Sequence, residues 1–323
     1  MAKKKENKQN IEIFSLNKGD FEKNGYPFSG KRAVVVGIYY SFPSNQNASG
    51  SSGTNAISQK IIPWGEEAEP RVYISPFALK RRIRDYWSKL GEKVYVREDR
   101  NIEEGKNEEE SKTEKKGMKD LVNEYIDVDL FGYMKAKSGK EGTTRPGPIT
   151  SWGAVSLEPV HSFVDFNTCI YPTTEKEGGS IINRGISKEF YFTSFFINPD
   201  LISVVLTSSK QEGVDKNGVL KMKMERLKLF LEGMKYAMQK DTGGPRDKPS
   251  CVFLAVQIED SAYGDFDKRL FKNIEVKGDK VKIKSDLLKE KGIHILHFDK
   301  DFVEIQNVEK SELDKVVNSL LSQ

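Results

Sequence analysis

The 323-residue sequence predicts an α+β domain of ferredoxin-like order, strand, helix, strand, strand, helix, strand, interrupted by long insertions. Three observations carry that expectation. One segment after Ser75 and another around 227–234 have helical apolar spacing. Short runs rich in Val, Ile and Tyr flank them. The stretches between are too polar or too Gly-rich to fit either pattern.

The first strand is residues 31–42, KRAVVVGIYYSF, which lacks a helical period and is opened by Lys31 and Arg32. Residues 42–70 turn to Ser, Asn, Gly and Pro, and are expected to form a long projecting loop. Ser75 then suits an N-cap and Pro76 the first helical turn. Leu79, Ile83, Tyr86 and Leu90 fall at i, i+4, i+7 and i+11, so a helix is predicted that ends at Gly91. At about 100° per residue, Lys80 and Arg84 lie along one flank of that stripe, Arg82 towards the other and Arg81 near the outward pole.

Residues 97–129 hold seven Lys or Arg against twelve Asp or Glu, and their middle reads as a solvated insertion. Residues 127–134 (DVDLFGYM) and 148–157 (PITSWGAVSL) read as two strands paired in a long hairpin. Their connection, KAKSGKEGTTRPG, carries Lys135, Lys137, Lys140 and Arg145. A second projecting hairpin is expected over 161–188, followed by strand-like residues 189–206 and a Gly-containing turn near 211–218. Leu227, Leu229, Phe230, Leu231, Met234 and Met238 mark the second helix, before the strand CVFLAVQIED at 251–260. Lys-rich strand pieces, the strand-like GIHILHF and a short helix from Ser311 complete the chain.

Composition and motifs narrow the function. A net charge of +4, from 52 Lys plus Arg and 48 Asp plus Glu, names no partner by itself. The only cysteines, Cys169 and Cys251, cannot supply a four-ligand zinc site or a disulfide framework and read as buried thiols. No 18-residue apolar run occurs, and the Lys-rich residues 1–10 are not followed by the apolar core of a secretory signal. A cytoplasmic protein without a membrane partner is expected. Phosphate-loop, dinucleotide-fold, zincin and nucleophile-elbow motifs are absent from the sequence. His294 and His297, three apart on a strand, are expected on opposite faces and in structural roles. His161, near a loop, is a candidate general base with no identifiable partner.

Charge segregation is the positive signal. Between Arg71 and Lys89 there are six Lys or Arg and one acid, Asp85. A helix N-terminus offers unpaired N–H groups, and guanidinium forks grip phosphate oxygens, so phosphates suit this place. A solvated helix face is the other reading, because Lys and Arg are good helix formers. Lys31, Arg32 and the hairpin cations add positive charge, while the acid excess is gathered in 97–129. Such segregation suits a groove for single-stranded nucleic acid. Phe163, Phe166 and Tyr171 on the second projection are candidates to stack on bases, with core packing as the alternative.

The segments YISPFALKRRIRDYW, DVDLFGYM and RPGPITSWGAVSLEPV, in that order behind a Ser/Gly/Asn-rich loop, resemble a known family. It is the DevR-type backbone subunit of type I CRISPR surveillance (Cascade) complexes, of the I-B branch and the RAMP superfamily, and the resemblance spans residues 26–260. It implies one elaborated domain: a modified RNA-recognition-motif palm (26–42, 71–96, 125–160, 189–260), a fingers loop (43–70), an acidic web insertion (97–124), a thumb hairpin (161–188) and a C-terminal extension (261–323). It also implies copies of the chain stacked along a crRNA, in company with other Cascade subunits, supporting hybridisation of a target DNA strand. No cofactor and no catalysis are expected.

Carried onto this sequence, Ser75, Lys80, Arg81 and Arg84 would hold guide phosphates. Lys31, Arg32, Arg145, Trp152, Phe163, Phe166 and Arg184 complete the candidate RNA-contacting set. Related type III subunits cut target RNA with an Asp in the loop after the first strand, and residues 42–62 here contain no Asp or Glu. Two other classes stay open: a RAMP-type ribonuclease using His161 or a displaced carboxylate, and a protein-only oligomer in which the basic helix pairs with a neighbour's acids.

Overall fold

The computed structural model describes residues 18–44, 56–57, 60–96, 117–137, 140–159, 164–169, 181–205, 214–237 and 250–322. A short helix α1 (Lys18–Lys23) leads into β1 (Lys31–Ser44), whose apolar run is buried on both faces. β2 (Ala56–Ile57), β3 (Ile61–Trp64) and β4 (Glu69–Ile74) follow. The expected loop over 42–70 is therefore structured in its second half. β3 and β4 pair antiparallel, with Ile61 opposite Val72, because buried Val72 and Ile74 bind this ribbon to the main sheet.

The predicted first helix is α2 (Pro76–Lys89), with Ser75 Oγ accepting a hydrogen bond from the Ala78 amide at 3.3 Å. Leu79 and Ile83 are buried as expected, but Leu90 is 51% exposed and Trp87 takes the fourth core position. Trp87 stacks on Phe131 with ring centroids 5.1 Å apart and donates Nε1 to the Leu229 carbonyl at 2.9 Å. Gly91 closes the helix at φ 87°, a conformation that favours glycine.

The largest departure from expectation lies at 127–134. The structure has α3 (Met118–Glu124), α4 (Ile126–Phe131), and then a hairpin of β5 (Gly132–Lys137) with β6 (Lys140–Pro146). The alternation Asp-Val-Asp-Leu imitates a half-buried strand, yet all six residues of α4 are buried because both carboxylates find partners inside. β7 (Ile149–Ser156) joins the main sheet instead of pairing with 127–134.

β8 (Val164–Cys169) and β9 (Ile181–Ile197) form the second antiparallel hairpin, and a 3-10 turn, Pro199–Leu201, follows. The turn expected near 211–218 is shortened by α5 (Lys216–Tyr236), which starts at an Asp215 cap and carries Gly218 inside it. β10 (Ser250–Asp260), α6 (Phe266–Lys272), β11 (Ile274–Lys277), β12 (Lys280–Ile283), α7 (Ser285–Leu288), β13 (Ile293–Phe298), β14 (Val303–Glu304) and α8 (Leu313–Leu321) complete the chain.

The result is a mixed α+β architecture built on antiparallel pairing. The main sheet runs β13-β10-β1-β9-β7-β4-β3; in its antiparallel core β10-β1-β9-β7, β9 stands between the expected first strand (β1) and the expected third (β7), and the expected second strand, 127–134, is not part of this sheet. On one face Val35, Tyr39, Phe195 and Leu254 pack under α2, α5 and α8. On the other, Val34, Val36, Phe192 and Phe253 lie under α6, β12, α7 and β14. The sheet is thus covered on both sides by its own chain.

β13 carries a bulge at Leu296: His297 pairs with Leu254 and His294 with Val256. Leu254 and Val256 are two apart on one strand, so both histidines share the face of α5 and α8 rather than lying on opposite faces. Cys251 is a buried thiol, as expected, and burial pushes its pKa up to about 12. The side chain of Cys169 lies outside the described residues. Among the described residues, no helix is long and apolar enough to cross a membrane.

Candidate nucleic-acid interface

Helix α2 carries Lys80, Arg81, Arg82 and Arg84, and the structure sends them to different tasks. Lys80 leans over the Phe131 ring at 4.9 Å and donates Nζ to the Ile149 carbonyl at 3.2 Å. Burial, and then the neighbouring Arg84, pull its pKa down to about 8. Arg84 lies 5.1 Å over the same ring, and its Nε donates to Asp127 Oδ2 at 3.0 Å. Arg82 is drawn down to about 10 by burial, opposed by Tyr191, Asp85 and Tyr39. Arg81 alone of the four is exposed. The helix has no acid in its first turn, so its positive dipole end is not neutralised from within.

Of the residues expected to touch RNA, several are engaged by the protein itself. Lys31 Nζ donates to Asp260 Oδ1 at 2.5 Å, which lowers the Asp260 pKa. Arg32 Nη1 donates to Asp200 Oδ2 at 2.9 Å, and Asp200 Oδ1 accepts the Ser29 amide at 2.7 Å. Arg145 is a correction. It is buried, donates Nη2 to Asp129 Oδ1 at 2.8 Å and to the Leu201 carbonyl at 3.0 Å, and presents no phosphate-binding fork. Trp152 is also held inward: Nε1 donates to Ser194 Oγ at 2.5 Å, and the indole tilts against Trp64 with centroids 5.9 Å apart. Ser75 is the α2 cap.

On the second hairpin, backbone register sets Phe166 directly opposite Arg184. Their side chains lie outside the described residues, as do Phe163, Tyr171 and His161 altogether. Lys137 pairs with Lys140 at the end of the β5–β6 hairpin. Among the described residues, no group of three or more His, Cys, Asp or Glu side chains is placed to hold a metal ion.

A family model described as CRISPR-associated protein Cas7 matches residues 63–295, most of the chain. The chain belongs to that family. As a Cas7 protein it is a crRNA-binding backbone subunit of a Cascade-type surveillance complex, a class of generally non-catalytic structural components. A search of curated protein sequences returns no match. Two solved chains are similar in shape, each 15% identical. One, titled "CRISPR RNA-guided surveillance complex", superposes with a TM-score of 0.42 over 70% of this chain and 68% of that one. The other, titled "CRISPR RNA-guided surveillance complex, pre-nicking", has a TM-score of 0.48 over 77% and 82%.

Within this Cas7 chain, the framework behind α2 is a set of buried ions that reading the sequence missed. Asp129 accepts both Arg145 and Arg226, along with the Ser203 amide at 2.9 Å and the Ser203 hydroxyl at 3.0 Å. Lys223 donates to the carbonyls of Asp200 at 2.9 Å and Pro199 at 3.1 Å. A signal was present, since Lys223 stands four residues before Leu227, on the apolar stripe of α5 where a cation demands a buried acceptor.

Proposed function

We propose that this chain is the non-catalytic crRNA-holding subunit of a type I Cascade of the DevR (I-B) branch, acting in the cytoplasm. Copies stand side by side along one guide and support its pairing with a target DNA strand. The observation that carries the reading is Arg81: on a Cas7-family chain, it is the one cation of the basic helix cluster left facing outward while its neighbours brace the fold.

The β10-β1-β9-β7 unit with α2 and α5 is then a modified RNA-recognition palm. Because residues 266–304 cover the face opposite the helices, the guide does not lie flat on the sheet. It runs past the N-terminal end of α2 and the projecting hairpins. The 161–188 hairpin serves as thumb, the 97–124 insertion as web, and 43–70 as fingers, with its second half forming the sheet edge. A non-catalytic role is supported by the carboxylate-free stretch 42–62 and by the inward engagement of Asp127, Asp129 and Asp200.

The test is purification of the full chain from cells that also express a CRISPR array. The wild type is expected to carry nuclease-sensitive RNA and a raised 260/280 nm absorbance ratio. Arg81→Glu is expected to lose most of that RNA while keeping its thermal midpoint. Wild-type protein that assembles without nucleic acid would overturn the reading in favour of a protein-only oligomer.

A further inference from the structure

Phe77 is 81% exposed, whereas every other described Phe side chain is buried or half-buried. It sits in the first turn of α2, four residues before the exposed Arg81, so the two share one helix flank. Helical side chains lean towards the N-terminus, which brings the Arg81 guanidinium back over the turn that carries Phe77. Neither side chain has a partner among the described residues. An isolated exposed Phe in a soluble domain is informative only in context, and here the context is cationic, with no acid in the first turn.

We propose that Phe77 stacks a nucleobase of the bound single strand while Arg81 holds the adjoining phosphate. The inference rests on the RNA-binding reading above and adds a base contact to it. A flat aromatic surface beside a cation matches one repeating unit of a single strand, a base and its phosphate. Stacking tolerates any base, as a guide of arbitrary sequence requires. A protein partner would need apolar area around Phe77, and the flank offers cations instead.

The experiment measures binding of the full chain to a short, unstructured, labelled RNA over a range of salt concentrations, and to an abasic strand of the same length. Phe77→Ala is expected to weaken RNA binding by roughly 5- to 150-fold, the range alanine substitution of a stacking residue produces. The slope of log affinity against log salt stays unchanged, because no counterion is involved. Affinity for the abasic strand stays at the wild-type level, and Phe77→Trp restores RNA binding. Arg81→Ala instead lowers the salt slope by about 0.7 for one phosphate lost. RNA affinity unchanged in Phe77→Ala, or an equal loss on the abasic strand, overturns the stacking role and leaves the RNA-binding reading standing. Wild-type protein with no salt-dependent RNA affinity overturns both.

Discussion

Arg84 donates Nε to Asp127 Oδ2 across 3.0 Å, tying α2 to α4 and turning that edge of the guanidinium into the fold. Asp127 also accepts the Tyr95 amide at 2.8 Å, so it survives the loss of Arg84 as a buried, partly satisfied carboxylate. Arg84→Ala is expected to cost about 1.5–3 kcal/mol, the range for a hydrogen bond to a charged group. Arg81→Ala, on an exposed site, should fall within about 0.5 kcal/mol of wild type. Urea unfolding of the two variants separates a bracing cation from a binding one. Equal stability of both would mean that the ion pair contributes nothing.

Asp129 is fully buried between Arg145 and Arg226, and its removal leaves two guanidinium groups inside without their anion. Breaking such a pair costs about 3–5 kcal/mol, whereas replacing the whole set with apolar residues is often neutral. Asp129→Ala is therefore expected to yield insoluble or readily unfolded protein. The triple variant Asp129→Leu, Arg145→Met, Arg226→Met should recover much of the stability in chemical denaturation. If the triple variant is no better than Asp129→Ala, the groups do not act as one network.

How far the sequence could be read depended on whether local pattern and tertiary context agreed. At α2 they did: Ser75, Pro76, Leu79 and Ile83 each took the expected place. The strands β1 and β10 were legible for the same reason, since both are continuous apolar runs. At α4 they conflicted. Alternating Asp and apolar residues signal a strand with a wet face, but Arg84, Arg145 and Arg226, distant in sequence, make that face dry. The candidate site was read under the same limit. Lys80, Arg84 and Arg145 looked like phosphate ligands because nothing local showed Phe131, Asp127 and Asp129 waiting for them. Phe77 lies off the apolar stripe of α2 and is exposed.

Gly153 sits at the bulge where β7 shifts register against β9, with φ 111°, and a Cβ there would lie 2.4 Å from the Ile74 carbonyl oxygen. The neighbouring pair, Ile74 and Ala154, joins β4 to β7 just before the Ser75 cap. Gly153→Ala must push β4 away or strain the backbone, and is expected to destabilise by more than the roughly 1 kcal/mol that the same change can add where the backbone accepts a side chain. Amide exchange should show lost protection at Tyr73 and Ile74, and RNA affinity should fall because α2 loses its anchor. Unchanged exchange in β4 would place the tolerance elsewhere and sink the idea.

His294 and His297 share the face packed under α5 and α8, and both have pKa values held below the ordinary 6.5. Burial is the main cause for each. Lys315 adds to it at His294, while Lys235 and Lys310 add to it at His297, against the opposing Cys251 backbone hydrogen bond and Asp299. The sign follows from proton uptake. As pH falls below 6.5 the unfolded chain binds these protons before the folded one does, so stability is intact above 6.5 and declines until the folded values are reached. The thermal midpoint should therefore drop between about pH 7 and pH 5 in the wild type, and drop less in the His294→Gln, His297→Gln double variant. An identical pH dependence in both proteins would show that other groups govern acid lability in this range.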